Sequence, residues 1–180
     1  MTKKVLIIGT SPRKNGNSNR LAQEFARGAE DIGNEVEIVY FCDKEINFCK
    51  GCLACQKLHK CVINDDANAV TEKIRNSEVI VWATPVYYYC MSGQMKTMID
   101  RSNPLFATEN KFKEVYLLAS AAEDEESAMD GTITGLQGWI DCHDGVELKG
   151  VIKAIGVTNV GDIDGHSALK EAYETGKSIN

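Results

Sequence analysis

The sequence predicts an α/β fold in which a parallel β-sheet is wound with helices on both faces. Three observations carry this expectation. Short continuous apolar runs recur along the 180 residues, as strands buried on both faces require. Between them lie stretches whose apolar residues fall at helical spacing. Strand-like and helix-like segments alternate without an internal repeat, linker or low-complexity segment, so residues 1–180 read as a single domain. Right-handed crossovers leave few ways to arrange such units.

The elements follow in order. Val5-Leu6-Ile7-Ile8-Gly9 is an apolar run closed by glycine, the first strand. Leu21, Phe25 and Ala29 share one face of a helix that ends near Gly33. Val36, Ile38 and Tyr40 alternate as a second strand. A cysteine-rich loop follows, then a helix from about Ala67 to Arg75. Glu78 to Ala83 is the third strand, stopped by Pro85, and Gly93 to Arg101 the next helix. Val115 to Ala119 is the fourth strand. A helix around Thr132 to Cys142, a fifth strand around Val151 to Val157 and a terminal helix from Ala168 to Thr175 complete the set.

Composition narrows the function. Hydrophobic residues at 43% and charged residues at 26% are ordinary for a globular protein and exclude wholesale disorder. A net charge of -6 with no basic run argues against nucleic acid or an anionic membrane surface as partner. No apolar stretch approaches the roughly 20 residues that span a bilayer. The start of the chain does not read as a signal peptide, so a cytoplasmic enzyme is expected.

The loop after the first strand, Gly9-Thr10-Ser11-Pro12-Arg13-Lys14-Asn15-Gly16-Asn17-Ser18-Asn19, is the first informative segment. In a doubly wound sheet, ligands bind beyond the carboxyl ends of the strands, where this loop lies. Ser11, Ser18 and Asn19 bring short hydrogen-bonding side chains, Arg13 a charge, and the helix start its amide groups, a set suited to a phosphate. Neither the spaced glycines of a dinucleotide fingerprint nor a Gly-Lys-Ser/Thr loop is present, so a monophosphate such as that of FMN fits better. The plainer alternative is a solvated turn with Asn17 or Ser18 as helix N-cap.

The loop after the third strand, Thr84-Pro85-Val86-Tyr87-Tyr88-Tyr89-Cys90-Met91-Ser92-Gly93, is the second. Three consecutive tyrosines cannot all enter the core, so one is free to cover a flat ligand. Alternatively Ser92 caps a helix and the tyrosines pack against neighbours.

Taken together, the two loops resemble the NADPH-dependent FMN reductase family of the flavodoxin-like superfamily, including its iron-sulfur flavoproteins. The resemblance rests on Gly9-Thr10-Ser11-Pro12-Arg13 with Gly16-Asn17-Ser18, and on Pro85-Val86-Tyr87 with Ser92-Gly93-Gln94-Met95-Lys96 and Ile99-Asp100-Arg101. It implies a three-layer fold whose five parallel strands run in the order 2-1-3-4-5. By the same carry-over, Ser11, Arg13, Asn17, Ser18 and Asn19 hold an FMN phosphate. Pro85, Val86, Tyr87, Tyr88 and Ser92 border the flavin, and Ser120 and Ala121 lie in a third loop. The implied activity passes electrons from NAD(P)H through FMN to an acceptor, a small molecule or a redox protein, in a homodimer or homotetramer. Flavin-centred chemistry needs no general acid or base, and His59, His143 and His166 are expected on the surface or in packing.

Four of the seven cysteines, Cys49, Cys52, Cys55 and Cys61, crowd between positions 49 and 61. In a reducing compartment such a cluster reads as a metal or redox site rather than a disulfide framework. Four thiolates suit a 4Fe-4S cluster or zinc, and the iron-sulfur flavoproteins carry a motif of this kind. A lid or subunit contact bearing free thiols, or simple packing, are the alternatives. Cys42, Cys90 and Cys142 are expected to pack, and Glu123-Asp124-Glu125-Glu126 to form a solvated loop and helix start. Two rival functions stay open: an electron carrier without nicotinamide activity, and a cysteine-based redox or metal sensor with a vestigial flavin site.

Overall fold

Successive side chains of a strand point to opposite faces of its sheet, and strand β1 (Lys4–Gly9) shows the consequence. Leu6 and Ile8 enter one apolar core while Val5 and Ile7 enter another. The same division runs through β3 (Val79–Tyr87), where Ile80 and Trp82 face the first core and Val79 and Val81 the second. Strands β2 (Glu35–Tyr40), β4 (Cys90–Met91), β5 (Glu114–Ser120) and β6 (Glu147–Ala154) complete the sheet in this computed structural model, which describes residues 2–106 and 108–180.

Helices α1 (Asn17–Asp31) and α6 (Ser167–Lys177) cover one face, contributing Leu21, Phe25, Ala168 and Ala172 to its core. Helices α3 (Ala67–Arg75), α4 (Gly93–Arg101) and α5 (Asp130–Ile140) cover the other, through Val70, Ile74, Met95, Met98, Leu136 and Trp139. A single-turn helix α2 (Cys55–Leu58) lies in the cysteine loop.

The strand order is β2-β1-β3-β5-β6, with every one of these pairings parallel. Counted as parallel strands alone, this is the order 2-1-3-4-5 expected above. The sixth strand, β4, was not anticipated: its two residues pair antiparallel with the end of β3. Two boundaries also move. Pro85 does not stop β3, which continues through it in register with β5 (Pro85 opposite Ser120). The last strand begins at Glu147 and ends at Ala154, because Gly156 turns the chain with a φ of +69°.

The direction in which strands are added to the sheet reverses at β1, since β2 lies on one side of β1 and β3 on the other. That switch point is where doubly wound sheets open a crevice. The loops after β1, β3 and β5 all reach this edge.

At the opposite end of the sheet Phe112 stacks on Trp139, with ring centroids 5.4 Å apart, and His143 meets Trp139 edge-on at 4.9 Å. Burial pushes the His143 pKa down, Lys113 adds to this, and Asp144 opposes it. A lowered native value favours the neutral ring. Its contribution to stability is therefore complete above the ordinary histidine value of about 6.5 and is lost as pH falls below it. The urea midpoint of the wild type should fall between about pH 7.5 and pH 5.5, and His143→Gln should reduce that fall. An identical fall in the variant would show that other groups govern this range.

Candidate functional site

The loop between β1 and α1 is built around a buried helix start that no side chain caps. Gly16 occupies the N-cap in an extended conformation and provides no side-chain cap, and no acidic residue stands in the first turn. The alternative of Asn17 or Ser18 as N-cap is thereby removed, because both lie inside the helix. The first-turn N–H groups of a 15-residue helix are left without a side-chain capping partner. Among the described residues, Ser18 Oγ is buried and lacks a hydrogen-bond partner, as do Asn17 Oδ1 and Asn19 Oδ1. Orphaned buried polar atoms are rare and call for an explanation.

Other contacts fix the loop's shape. Asn19 Nδ2 donates to the carbonyls of Arg13 (3.2 Å) and Lys14 (3.1 Å), and the Arg13 amide donates to Ser11 Oγ at 3.1 Å. Asn17 Nδ2 donates to the Asn159 carbonyl and Arg13 Nη1 to the Thr158 carbonyl, each at 3.0 Å. The segment after β6 thus supports the loop from the side. Arg13 is exposed and holds its guanidinium at the rim.

The second wall is a hairpin. Tyr87 pairs with Cys90, and Tyr88 and Tyr89 form the two-residue turn between them with φ of 49° and 60°. Positive φ at both positions is the type I′ pattern that favours Asn-Gly, and each non-glycine residue there costs roughly 1–2 kcal/mol. Gly131 of α5 makes room for the turn, since a Cβ there would come within 2.3 Å of the Tyr89 carbonyl oxygen. Tyr87 and Tyr89 are exposed and Tyr88 is fully so. A strained turn that presents aromatic rings to solvent stabilises nothing visible within the chain. Replacing Tyr88 by Asn and Tyr89 by Gly should raise unfolding stability by about 1 kcal/mol or more. An unchanged or lowered urea midpoint would contradict the strain.

Below the hairpin, Ser92 caps α4 by accepting from the Met95 amide at 3.3 Å. Its hydroxyl lies 3.2 Å from both Thr10 Oγ1 and Thr84 Oγ1 and is wholly buried. Ser92 therefore fastens α4 to the ends of β1 and β3 and lies under the crevice, with its hydroxyl committed to this network. Pro85 and Val86 are half-buried along β3. In the third segment Ser120 closes β5, and the Ala121 amide donates to the Ala154 carbonyl at 2.8 Å. Both are buried strand-end residues, so the open part of that loop begins at Ala122. Its acidic residues are exposed, as expected.

The cysteine loop lies at the other end of α4, a helix of nine residues and about 13 Å. Cys49, Cys52, Cys55 and Cys61 line one cavity of about 440 Å³ with Arg101 and Asn103. Among the described residues, no three His, Cys, Asp or Glu side chains stand together as a metal-binding group. Two expected packing residues differ: Cys90 and Cys142 are exposed, Cys90 beside the tyrosine turn and Cys142 just beyond the end of α5.

Arg101 fixes this loop. Its guanidinium makes two parallel bonds of 2.7 Å to Asp65 and also donates to the carbonyls of Asn47 (2.6 Å) and Ile63 (3.3 Å). Both ends of the cysteine loop are thereby tied to the end of α4. Burial alone pushes the Asp65 carboxyl up, but the hydrogen bonds from Arg101 and Asn47 outweigh it and hold it well below the carboxylate range. Sequence reasoning names Arg101 only as a helix end and in Ile99-Asp100-Arg101, and misses its pairing with Asp65. The signal was present: Met95, Met98 and Arg101 repeat every three residues, which places a charge on the buried face of α4 and demands a partner.

The family model described as NADPH-dependent FMN reductase matches residues 3–154. An iron-sulfur flavoprotein of Methanocaldococcus jannaschii is 38% identical over 111 residues, 60% of this chain and 58% of that protein. An iron-sulfur flavoprotein of Methanosarcina thermophila is 32% identical over 144 residues, 78% of this chain and 74% of the relative. The match to a relative in Archaeoglobus fulgidus covers 46% of it, so the chain spans about half the length of several curated relatives. A solved NAD(P)H:quinone oxidoreductase from Methanothermobacter marburgensis superposes over all of both chains with a TM-score of 0.73 at 18% identity, a likeness of fold.

Proposed function

We propose that this chain, which belongs to the NADPH-dependent FMN reductase family, is an NAD(P)H-dependent oxidoreductase that carries FMN at the carboxyl edge of its sheet. The observation that carries this reading is the uncapped start of α1 with the buried, unpartnered Ser18 Oγ beside it. A phosphate monoester there accepts from the first-turn amides and the Ser18 hydroxyl, and its charge suits the helix dipole. Ser11, Asn17 and Asn19 shape the cradle, and Arg13 adds a charge-assisted contact from the rim. Pro85, Val86, Tyr87 and Tyr88 border the ring, with Ser120 and Ala121 behind it.

Bound FMN supplies hydride acceptance from a reduced nicotinamide and release of electrons singly or in pairs. The chain's own residues bind the cofactor, orient its ring and limit access to it. Four thiols lining one cavity fit the donor chemistry of a 4Fe-4S cluster held by Cys49, Cys52, Cys55 and Cys61, and relatives are named iron-sulfur flavoproteins. The acceptor is a small molecule or a redox protein. Exposed Phe48, Leu53, Leu58 and Val62 around the cysteine loop form an apolar surface suited to a homodimer or homotetramer in the cytoplasm. No described helix is long and apolar enough to cross a membrane.

The test is anaerobic addition of NADPH or NADH to FMN-loaded protein. One NAD(P)H should be oxidised to NAD(P)+ for each flavin bleached, with repeated turnover once an acceptor such as a quinone is supplied. A flavin that bleaches only when a separate reductase is added would instead identify an electron carrier.

A further inference from the structure

We infer that Arg101 and Asn103 are positioning residues of the cysteine centre, giving it a buried positive charge and N–H donors to two of its sulfurs; this rests on the cluster reading above. A guanidinium carries five N–H groups. Four are spent on the Asp65 carboxylate and the carbonyls of Asn47 and Ile63. The fifth, on Nε, is buried without a partner in a side chain that is 1% exposed. A buried donor left unpaired is destabilising and calls for an acceptor. Cys61 lines the same cavity as the guanidinium, so a ligating thiolate there offers this N–H an acceptor.

Asn103 supplies the second donor, its Nδ2 reaching Cys55 Sγ at 3.0 Å. Both residues line the cavity that the four cysteines line, whereas Asp65 does not. Its Oδ2 accepts from the Asn47 amide at 2.8 Å and its Oδ1 from the Ala67 amide at 3.1 Å, besides their bonds to Arg101. Lys50 and Asp100 also line the cavity but are exposed, so the guanidinium is the buried charged group on its wall. Tying down the loop needs only the bonds to Asp65, Asn47 and Ile63; it does not need the fifth N–H or the Asn103 amide.

An electron added to a four-thiolate centre adds negative charge to its sulfurs. Donors and a buried cation stabilise that form and raise the reduction potential. Asn103→Ala removes one donor. The double variant Arg101→Gln, Asp65→Asn removes the cation and its Nε donor from the cavity wall, together with the carboxylate behind it, and leaves a neutral pair.

Protein purified anaerobically and reconstituted with iron and sulfide would be titrated while cluster and flavin absorption are followed separately. Each variant should shift the cluster equilibrium roughly tenfold toward the oxidised form, about 59 mV for a one-electron couple, with the flavin potential in place. A purely structural role would lower the melting temperature and leave the cluster potential where it was. Iron-loaded variants that keep the wild-type potential overturn the inference. Should the double variant fail to fold, Asn103→Ala decides alone. Wild-type protein that takes up no iron overturns the cluster reading and this inference with it.

Discussion

Replacing Asp65 by Ala should lower unfolding stability by about 3–5 kcal/mol, the cost of leaving a buried cation without its partner. Both side chains of the pair are almost fully inaccessible, at 0% for Arg101 and 2% for Asp65. Two of the guanidinium's donors would lose their acceptor at once, and the Asn47 and Ala67 amides would lose theirs. The native pKa of Asp65 is depressed, so its contribution is complete above the ordinary carboxylate value of about 4 and is lost as pH falls toward the lowered native one. The urea midpoints of wild type and variant should therefore differ undiminished from about pH 8 down to pH 5. The double variant with Arg101→Gln and Asp65→Asn should cost less than Asp65→Ala alone. A loss under about 1 kcal/mol would class the pair with surface ion pairs and contradict its placement.

The second large effect falls on cofactor affinity. Replacing Arg13 and Ser18 together by Ala should weaken FMN binding at least tenfold, or about 1.4 kcal/mol. Ser18 offers a buried hydroxyl that has no partner among the described residues, and Arg13 a charge whose Nη1 donates to the Thr158 carbonyl. Neither substitution touches the two apolar cores, so the variant should fold with wild-type stability. Titration of the apoprotein with FMN, followed by flavin fluorescence, measures the change. Unchanged affinity in a folded double variant would remove the phosphate from this loop.

The parallel strands and the helices between them were legible because burial on both faces imposes uninterrupted apolar runs. Ala67–Arg75 and Gly93–Arg101 fall where the spacing placed them. Legibility ended where tertiary context overrode local signals. The β3–β4 hairpin lacks the Asn-Gly turn signal, since Tyr88 and Tyr89 hold its positive φ values instead. Pro85 reads as a stop, yet parallel pairing to β5 carries the strand past it. The start of β6 alternates Glu147, Leu148 and Lys149 as a half-exposed edge strand does, and only its later apolar residues drew notice.

At the site, sequence located the loops but not the division of labour within them. Ser11, Ser18 and Asn19 are alike as short polar residues, yet burial leaves Ser18 Oγ unpaired while Asn19 braces the turn and Ser11 accepts from Arg13. Ser92 reads equally as ligand contact and helix cap, and its bonding to Thr10 and Thr84 places it in the scaffold. Thr158 and Asn159 gave no signal, because their part is played by backbone carbonyls that any residue type supplies.

The central claim is that one chain holds FMN at the head of α1 and a four-thiolate redox centre at the foot of α4. It is tested most directly by the visible spectrum of protein purified without oxygen, recorded before and after addition of NADPH or NADH. The account predicts flavin absorption overlaid on the broad absorption of an iron-sulfur cluster, with the flavin bands bleached by the nicotinamide. A colourless protein that takes up neither added FMN nor iron and sulfide would contradict it.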